Sequence, residues 1–125
     1  MEPVNIGSRL ELLVDDALIS EFRGSAHHAL HRPQPREVVL VHDRAWEGNT
    51  TAYHTFFRDG DRVRVYYRGS QHEKSGKQPH PQVACMAESP DGLVWHKPAL
   101  GLVDFQGARA NNIILTGAGT HNFAP

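Results

Sequence analysis

The chain has 125 residues, 39% of them apolar and 22% charged, a composition that suits one globular domain with a modest core and excludes a disordered segment. Its formal net charge of −1 provides no basic field for nucleic acid, and no Lys/Arg run marks a membrane surface. A single cysteine, Cys85, rules out an internal disulfide, and the longest apolar runs, such as "EVVLV" at 37–41, are far too short to span a bilayer.

The N-terminus, "MEPVNIGSRL", has no charged start followed by an apolar stretch, so no signal peptide is read and a cytoplasmic product is expected. From there on, period-two alternation recurs and no helical repeat stands out. "LELLVDDALIS" (10–20) reads as one strand, or as two broken at Asp15-Asp16. "AHHALHR" (26–32) reads as another, and "REVVLV" (36–41) as a short buried strand after Pro33 and Pro35. The clearest unit is "TAYHTFFRDGDRVRVYYRG" (51–69), in which Asp59-Gly60 signals a hairpin turn because Gly accepts the positive φ of a tight turn. On its second arm Val63, Val65 and Tyr67 face one way, and Arg62, Arg64, Tyr66 and Arg68 the other.

A polar loop, "SQHEKSGKQPHP" (70–81), leads to a third strand, "QVACMAES" (82–89), which should bury Cys85 as a small core residue. "SPDG" then turns the chain into a fourth short strand, "LVWHK" (93–97), closed by Pro98, with Trp95 pointing inward. A second set begins near "NNIIL" (111–115) and runs to "THNFAP". Four successive antiparallel strands within 51–97 match one propeller blade, roughly 40–50 residues. The alternative is a meander in a sandwich or small barrel. The expected class is therefore all-β, with N-terminal strands over 1–50, a first blade over 51–110 and the start of a second over 111–125.

The segment "AESPDGLVWHKPAL" (87–100) resembles the first-blade segment of glycoside hydrolase family 32, the invertases and fructanases, and shares its turn with the arabinanases and xylosidases of family 43. "FFRDGDRVRVYYRG" is similar to that family's hairpin, and "LELLVDDALI" and "REVVLVHDRAWEGN" resemble the N-terminal part of bacterial proteins grouped with these hydrolases. The resemblance implies a five-bladed propeller with the active site in its central channel. It also implies hydrolysis by two carboxyl groups, one on each side of a glycosidic bond. The family's nucleophile is the Asp of "W-M-N-D-P-N-G". The matching stretch is "WEGNTTAY", which places Trp46 on the family's Trp and Asn49 on the nucleophile, where an amide cannot attack. Glu47 is the nearest carboxylate, and Asp15 and Asp16 are the other catalytic candidates. Five blades need roughly 200–250 residues, so the resemblance makes the chain an N-terminal part of its fold. Open sheet edges would then favour self-association.

Each candidate has a plain structural alternative. Asp15-Asp16 reads as an acidic pair that could raise one pKa for acid or base work, or as a solvated turn. Trp46 and Glu47 read as a sugar platform with a hydroxyl acceptor, or as a structural Trp beside a surface Glu. Asn49 and His54 suit sugar hydroxyls if they face a channel, whereas a partly buried, satisfied His54 is equally consistent with the pattern. Arg68 reads as a reader of an anionic sugar or as a solvated strand-end residue, and His121 and Asn122 as channel residues of the next blade. His27, His28 and His31 cannot form a metal centre as two same-face ligands and one opposed, so no metal or cofactor is expected. "TGAGTHN" (116–122) lacks the Lys-Ser/Thr ending of a phosphate loop and reads as a turn. The expected function is that of part of a carbohydrate-active enzyme of the family 32/43 type acting on a furanoside or related glycan. The alternative is a non-catalytic β-propeller that binds a sugar or a protein.

Overall fold

Alternation along 52–69 resolves into a hairpin in the computed structural model, which describes residues 3–125. Strand β1 (Ala52–Asp59) pairs antiparallel with β2 (Arg62–Gly69) across the two-residue loop Gly60-Asp61. Gly60 takes φ 61°, the left-handed conformation that only glycine reaches without a Cβ penalty. β3 (Val83–Ser89) adds to β2 in unbroken register from Val63↔Ser89 to Gly69↔Val83. β4 (Ile113–Thr116) completes a four-stranded antiparallel sheet of order β1-β2-β3-β4. Among the described residues the protein is all-β, and no helix is long and apolar enough to cross a membrane.

The fourth strand is the first correction. The expectation placed it at 93–97, yet that stretch makes only one bridge, with His96 and Glu88 exchanging backbone hydrogen bonds of 2.8 and 2.9 Å. The next residue able to extend the ladder would be Pro98, which has no N–H to give. The outer edge of β3 is therefore taken over by a later segment. Met86 N donates to Asn112 O at 3.0 Å, and the side-chain amide of Asn112 donates to Met86 O at 2.7 Å. The strand within 111–125, Ile113–Thr116, thus pairs with β3 in the same sheet. Phe123 folds back to within 5.5 Å of the Tyr66 ring.

The alternation on β2 behaves as its pattern predicts. Val65 and Tyr67 are buried and join Val83, Cys85, Ala87 and Ile113 in the core, against which Leu40, Trp46, Trp95, Val103 and Phe105 pack. Burial, with the nearby charge of Glu47, pushes the Cys85 thiol well above its ordinary range, the signature of an inert core residue. Trp95 is half-buried rather than enclosed: its ring packs edge-on against Phe56 at 5.7 Å, and its Nε1 donates to Gly92 O at 2.9 Å. The "SPDG" turn forms as expected. Ser89 Oγ accepts from Gly92 N, and Asp91 Oδ1 accepts from Leu93 N and Val94 N at 2.8 and 2.9 Å. Those amides hold the Asp91 carboxyl below its ordinary range.

The chain divides into two units, residues 1–35 and 36–125. The strands expected at 10–20, 26–32 and 36–41 are absent. A strand is stable only with a neighbour to satisfy its backbone, and none pairs with these segments. Leu10, Leu12, Val14, Leu30 and Val38 stay exposed in consequence. In the first unit local turns do the ordering: Asp15 Oδ1 accepts from Ala17 N at 3.0 Å, and Asp16 lies 3.2 Å from His28 Nε2.

Candidate functional site

The geometry around Glu47 begins with two glycines. The turn Trp46-Glu47-Gly48 presses against the end of β2, where Ser70 N donates to Glu47 O at 2.8 Å and Thr50 N to Ser70 O at 3.0 Å. A Cβ on Gly69 would stand 2.4 Å from Trp46 O, and one on Gly48 would stand 2.3 Å from Ser70 O. Only two residues without side chains let these backbones approach so closely, and the approach pushes the Glu47 side chain into the core, fully buried.

A buried carboxylate needs partners, and Glu47 has four. Oε1 accepts from the Tyr67 hydroxyl at 2.6 Å and from His42 Nδ1 at 3.3 Å. Oε2 accepts from Lys97 Nζ at 2.7 Å and from the amide of Arg44 at 2.8 Å. Burial by itself would raise the pKa of this acid, but the hydrogen bonds from His42, Lys97, Tyr67 and the Arg44 amide outweigh it and hold the carboxyl at about 2. Lys97 spends its other two donors on Val41 O at 2.6 Å and Asp43 Oδ1 at 3.1 Å. Its hydrogen bond and charge hold the Asp43 carboxyl below the usual range. Burial and the bond to Glu47 push the Tyr67 phenol far above its ordinary range, so it remains a donor at any accessible pH.

The network extends on both sides. Asn112 Nδ2 donates to the Tyr67 oxygen at 2.7 Å, and Trp46 Nε1 donates to Asn112 Oδ1 at 2.7 Å. In the other direction, His42 Nε2 lies 2.9 Å from His54 Nε2. The ionised Glu47 can only accept, so His42 Nδ1 carries a proton. With neutral rings His42 Nε2 then accepts and His54 Nε2 donates, which leaves Nδ1 of His54 as an acceptor. His54 is exposed and nearly parallel to two rings, at 17° to both Tyr67 (5.6 Å between centroids) and Phe56 (6.3 Å). Burial first, and then the proximity of His42, lower its pKa. A buried anion thus orients, through one histidine, a second histidine at the surface beside an exposed phenylalanine.

The other sequence candidates disperse. Trp46 is half-buried, its Nε1 committed to Asn112 and its ring edge-on to Phe105 at 6.0 Å. Asn49 is a latch: its side chain donates to His72 O and accepts from His72 N, both at 2.9 Å, pinning the loop after β2. Arg68 and His121 meet each other at 3.1 Å, away from hydrogen bonds with Glu47. Asn122 is exposed. Asp15 and Asp16 lie exposed in the first unit, engaged in the local contacts described above. Sequence reasoning had found Glu47 and His54 but missed His42, Tyr67, Lys97 and Asn112. One signal was present: Tyr67 occupies an inward position of a Val-x-Val-x-Tyr alternation, and an inward phenol requires a buried acceptor.

Comparison with protein-family models, curated proteins and solved structures finds no match to this chain.

Proposed function

We propose that the chain is part of a carbohydrate-active protein of the glycoside hydrolase family 32/43 type, its sheet one blade of a propeller, and that this sheet serves in sugar binding. The observation that carries the reading is the surface end of the Glu47 network. His54 is held from behind by His42 and set nearly parallel to Phe56, with Trp95 edge-on to Phe56. An apolar ring face beside an oriented polar nitrogen matches what a sugar offers, an apolar C–H face and hydroxyls. The four-stranded meander and the "SPDG" turn are consistent with the same family resemblance.

Within this reading Glu47 is a structural anion. It is closed to solvent, its four acceptor positions are filled, and a carboxyl held at about 2 gives up no proton to a leaving group near neutrality. The non-catalytic role is therefore favoured for this sheet. Titration of the protein with arabinofuranosides, fructofuranosides and xylosides, followed by NMR of the His54 and Phe56 side chains, tests the proposal. His54→Ala and Phe56→Ala should each weaken binding roughly ten-fold, the effect of about 1.4 kcal/mol. Binding that both variants leave unchanged would place the sugar elsewhere.

A further inference from the structure

The β1–β2 ladder skips between Ala52↔Arg68 and Thr55↔Tyr66, so Tyr53 and His54 together oppose the single residue Tyr67. Such a bulge re-aims side chains. It turns His54 toward His42, and it holds Tyr53 at φ 57°, a left-handed conformation that is strained for a bulky residue. The strain has a visible result. The Arg68 guanidinium lies over the half-exposed Tyr53 ring, its Cζ 4.6 Å from the ring centroid, and that ring stands 5.3 Å from the ring of His121.

Arg68 differs from its strand neighbours in what it pairs with. Arg62 pairs with Glu88 and Arg64 with Asp59, both at 2.8 Å. Among the described residues no carboxylate forms a salt bridge with Arg68. Its Nη1 meets His121 Nδ1 at 3.1 Å, its Nη2 reaches Thr50 O at 3.4 Å, and its buried Nε has no partner. A partly buried guanidinium without an anion is under-satisfied, because its planar fork is built for two parallel bonds to a carboxylate. His121 is exposed and its Nδ1 also lies 3.0 Å from Gln82 Oε1. One ring nitrogen cannot both accept from Arg68 and donate to Gln82, so the ring is a replaceable neighbour and not a committed partner.

From this we propose that Arg68, framed by Tyr53 and His121, is a recognition site for the carboxylate of an acidic sugar. The anion takes the place of the His121 nitrogen on Nη1, exchanging a neutral acceptor for a charged one, while the sugar ring packs beside the Tyr53 face. That the carboxylate is carried by a sugar rests on the proposed function; the carboxylate chemistry rests on Arg68 and Tyr53.

Calorimetric titration with methyl glucuronoside, methyl glucoside and cyclohexanecarboxylate tests it on the protein and on Arg68→Gln and Phe56→Ala. The glucuronoside is expected to bind roughly ten-fold or more tighter than the glucoside, as a charge-assisted bond allows. Arg68→Gln should erase the difference, and added salt should weaken the glucuronoside but not the glucoside. The salt arm needs no variant: a glucuronoside affinity that salt leaves unchanged overturns the site even if Arg68→Gln fails to fold. Equal affinities for the two glycosides, or a glucuronoside affinity that either salt or a folded Arg68→Gln leaves unaltered, overturns the site while leaving the sugar reading intact. Glucuronoside binding that depends on Arg68 but not on Phe56 keeps this site and removes the aromatic surface from the proposed function. Cyclohexanecarboxylate binding as tightly as the glucuronoside overturns the sugar as carrier.

Discussion

Tyr67 and Glu47 meet across 2.6 Å with neither side chain open to solvent, the phenol donating to Oε1. That bond ties the second strand to the turn before the first, and the rest of the polar core is arranged around it. Four donors around one carboxylate make the anion tolerable in the interior, and the loss of any one leaves a buried group without its partner.

Replacing the anion is the most direct probe. Glu47→Gln keeps the shape but puts an amide N–H₂ against donors such as Lys97 Nζ, which lies 2.7 Å from Oε2. The expected loss is roughly 3–5 kcal/mol of unfolding free energy, the range for breaking a buried charge pair. Urea denaturation of both proteins measures it, and a change under 1 kcal/mol, about the worth of an ordinary surface pair, would show that the network does not hold the fold.

The same carboxylate sets an acid limb. Its pKa falls from an ordinary 4.5 to about 2 on folding. Between these values the unfolded chain binds more protons than the folded one, so stability is full above about pH 4.5 and is lost progressively as pH falls toward 2. Denaturation midpoints across this window should drop steeply for the wild type and more shallowly for Glu47→Gln. Parallel profiles would assign the acid limb to other groups.

His54 should report its neighbour. Burial lowers its pKa first and the proximity of His42 lowers it further. In an NMR titration it should therefore protonate below the ordinary 6.5. His42→Gln should raise the midpoint part of the way back, because the burial contribution remains. A midpoint that does not move in the variant would mean the 2.9 Å contact between the rings does not couple them.

Gly69, at the end of β2, and Gly60, in the hairpin turn before it, should respond differently. Gly69→Ala puts a Cβ within 2.4 Å of Trp46 O and 3.1 Å of Glu47 Cα, so the Glu47 turn must move, at a cost of about 1–3 kcal/mol or more. Gly60→Ala meets nothing within 4 Å and costs only the left-handed backbone, roughly 1–2 kcal/mol. Thermal unfolding of Gly69→Ala should also be accompanied by a shifted Trp46 fluorescence, while Gly60→Ala leaves that signal in place.

Local chemistry by itself determined the hairpin, the "SPDG" turn, the inward faces of β2 and the burial of Cys85, since alternation and turn residues act over a few positions. The same reasoning erred where a segment's fate depends on a distant partner. "LELLVDDALIS" carries a strand-like pattern but has no strand to pair with. The edge of β3 went to Asn112 and Ile113–Thr116 because Pro98, which follows the nearer segment, has no amide to offer. The site divides in the same way. Glu47 and His54 were visible as residue types near the first strand, but His42, Tyr67, Lys97 and Asn112 come from four separate parts of the chain. Only the tertiary structure could bring them together, because a buried carboxylate selects its donors by position in space, and their spacing in the sequence leaves no pattern to read.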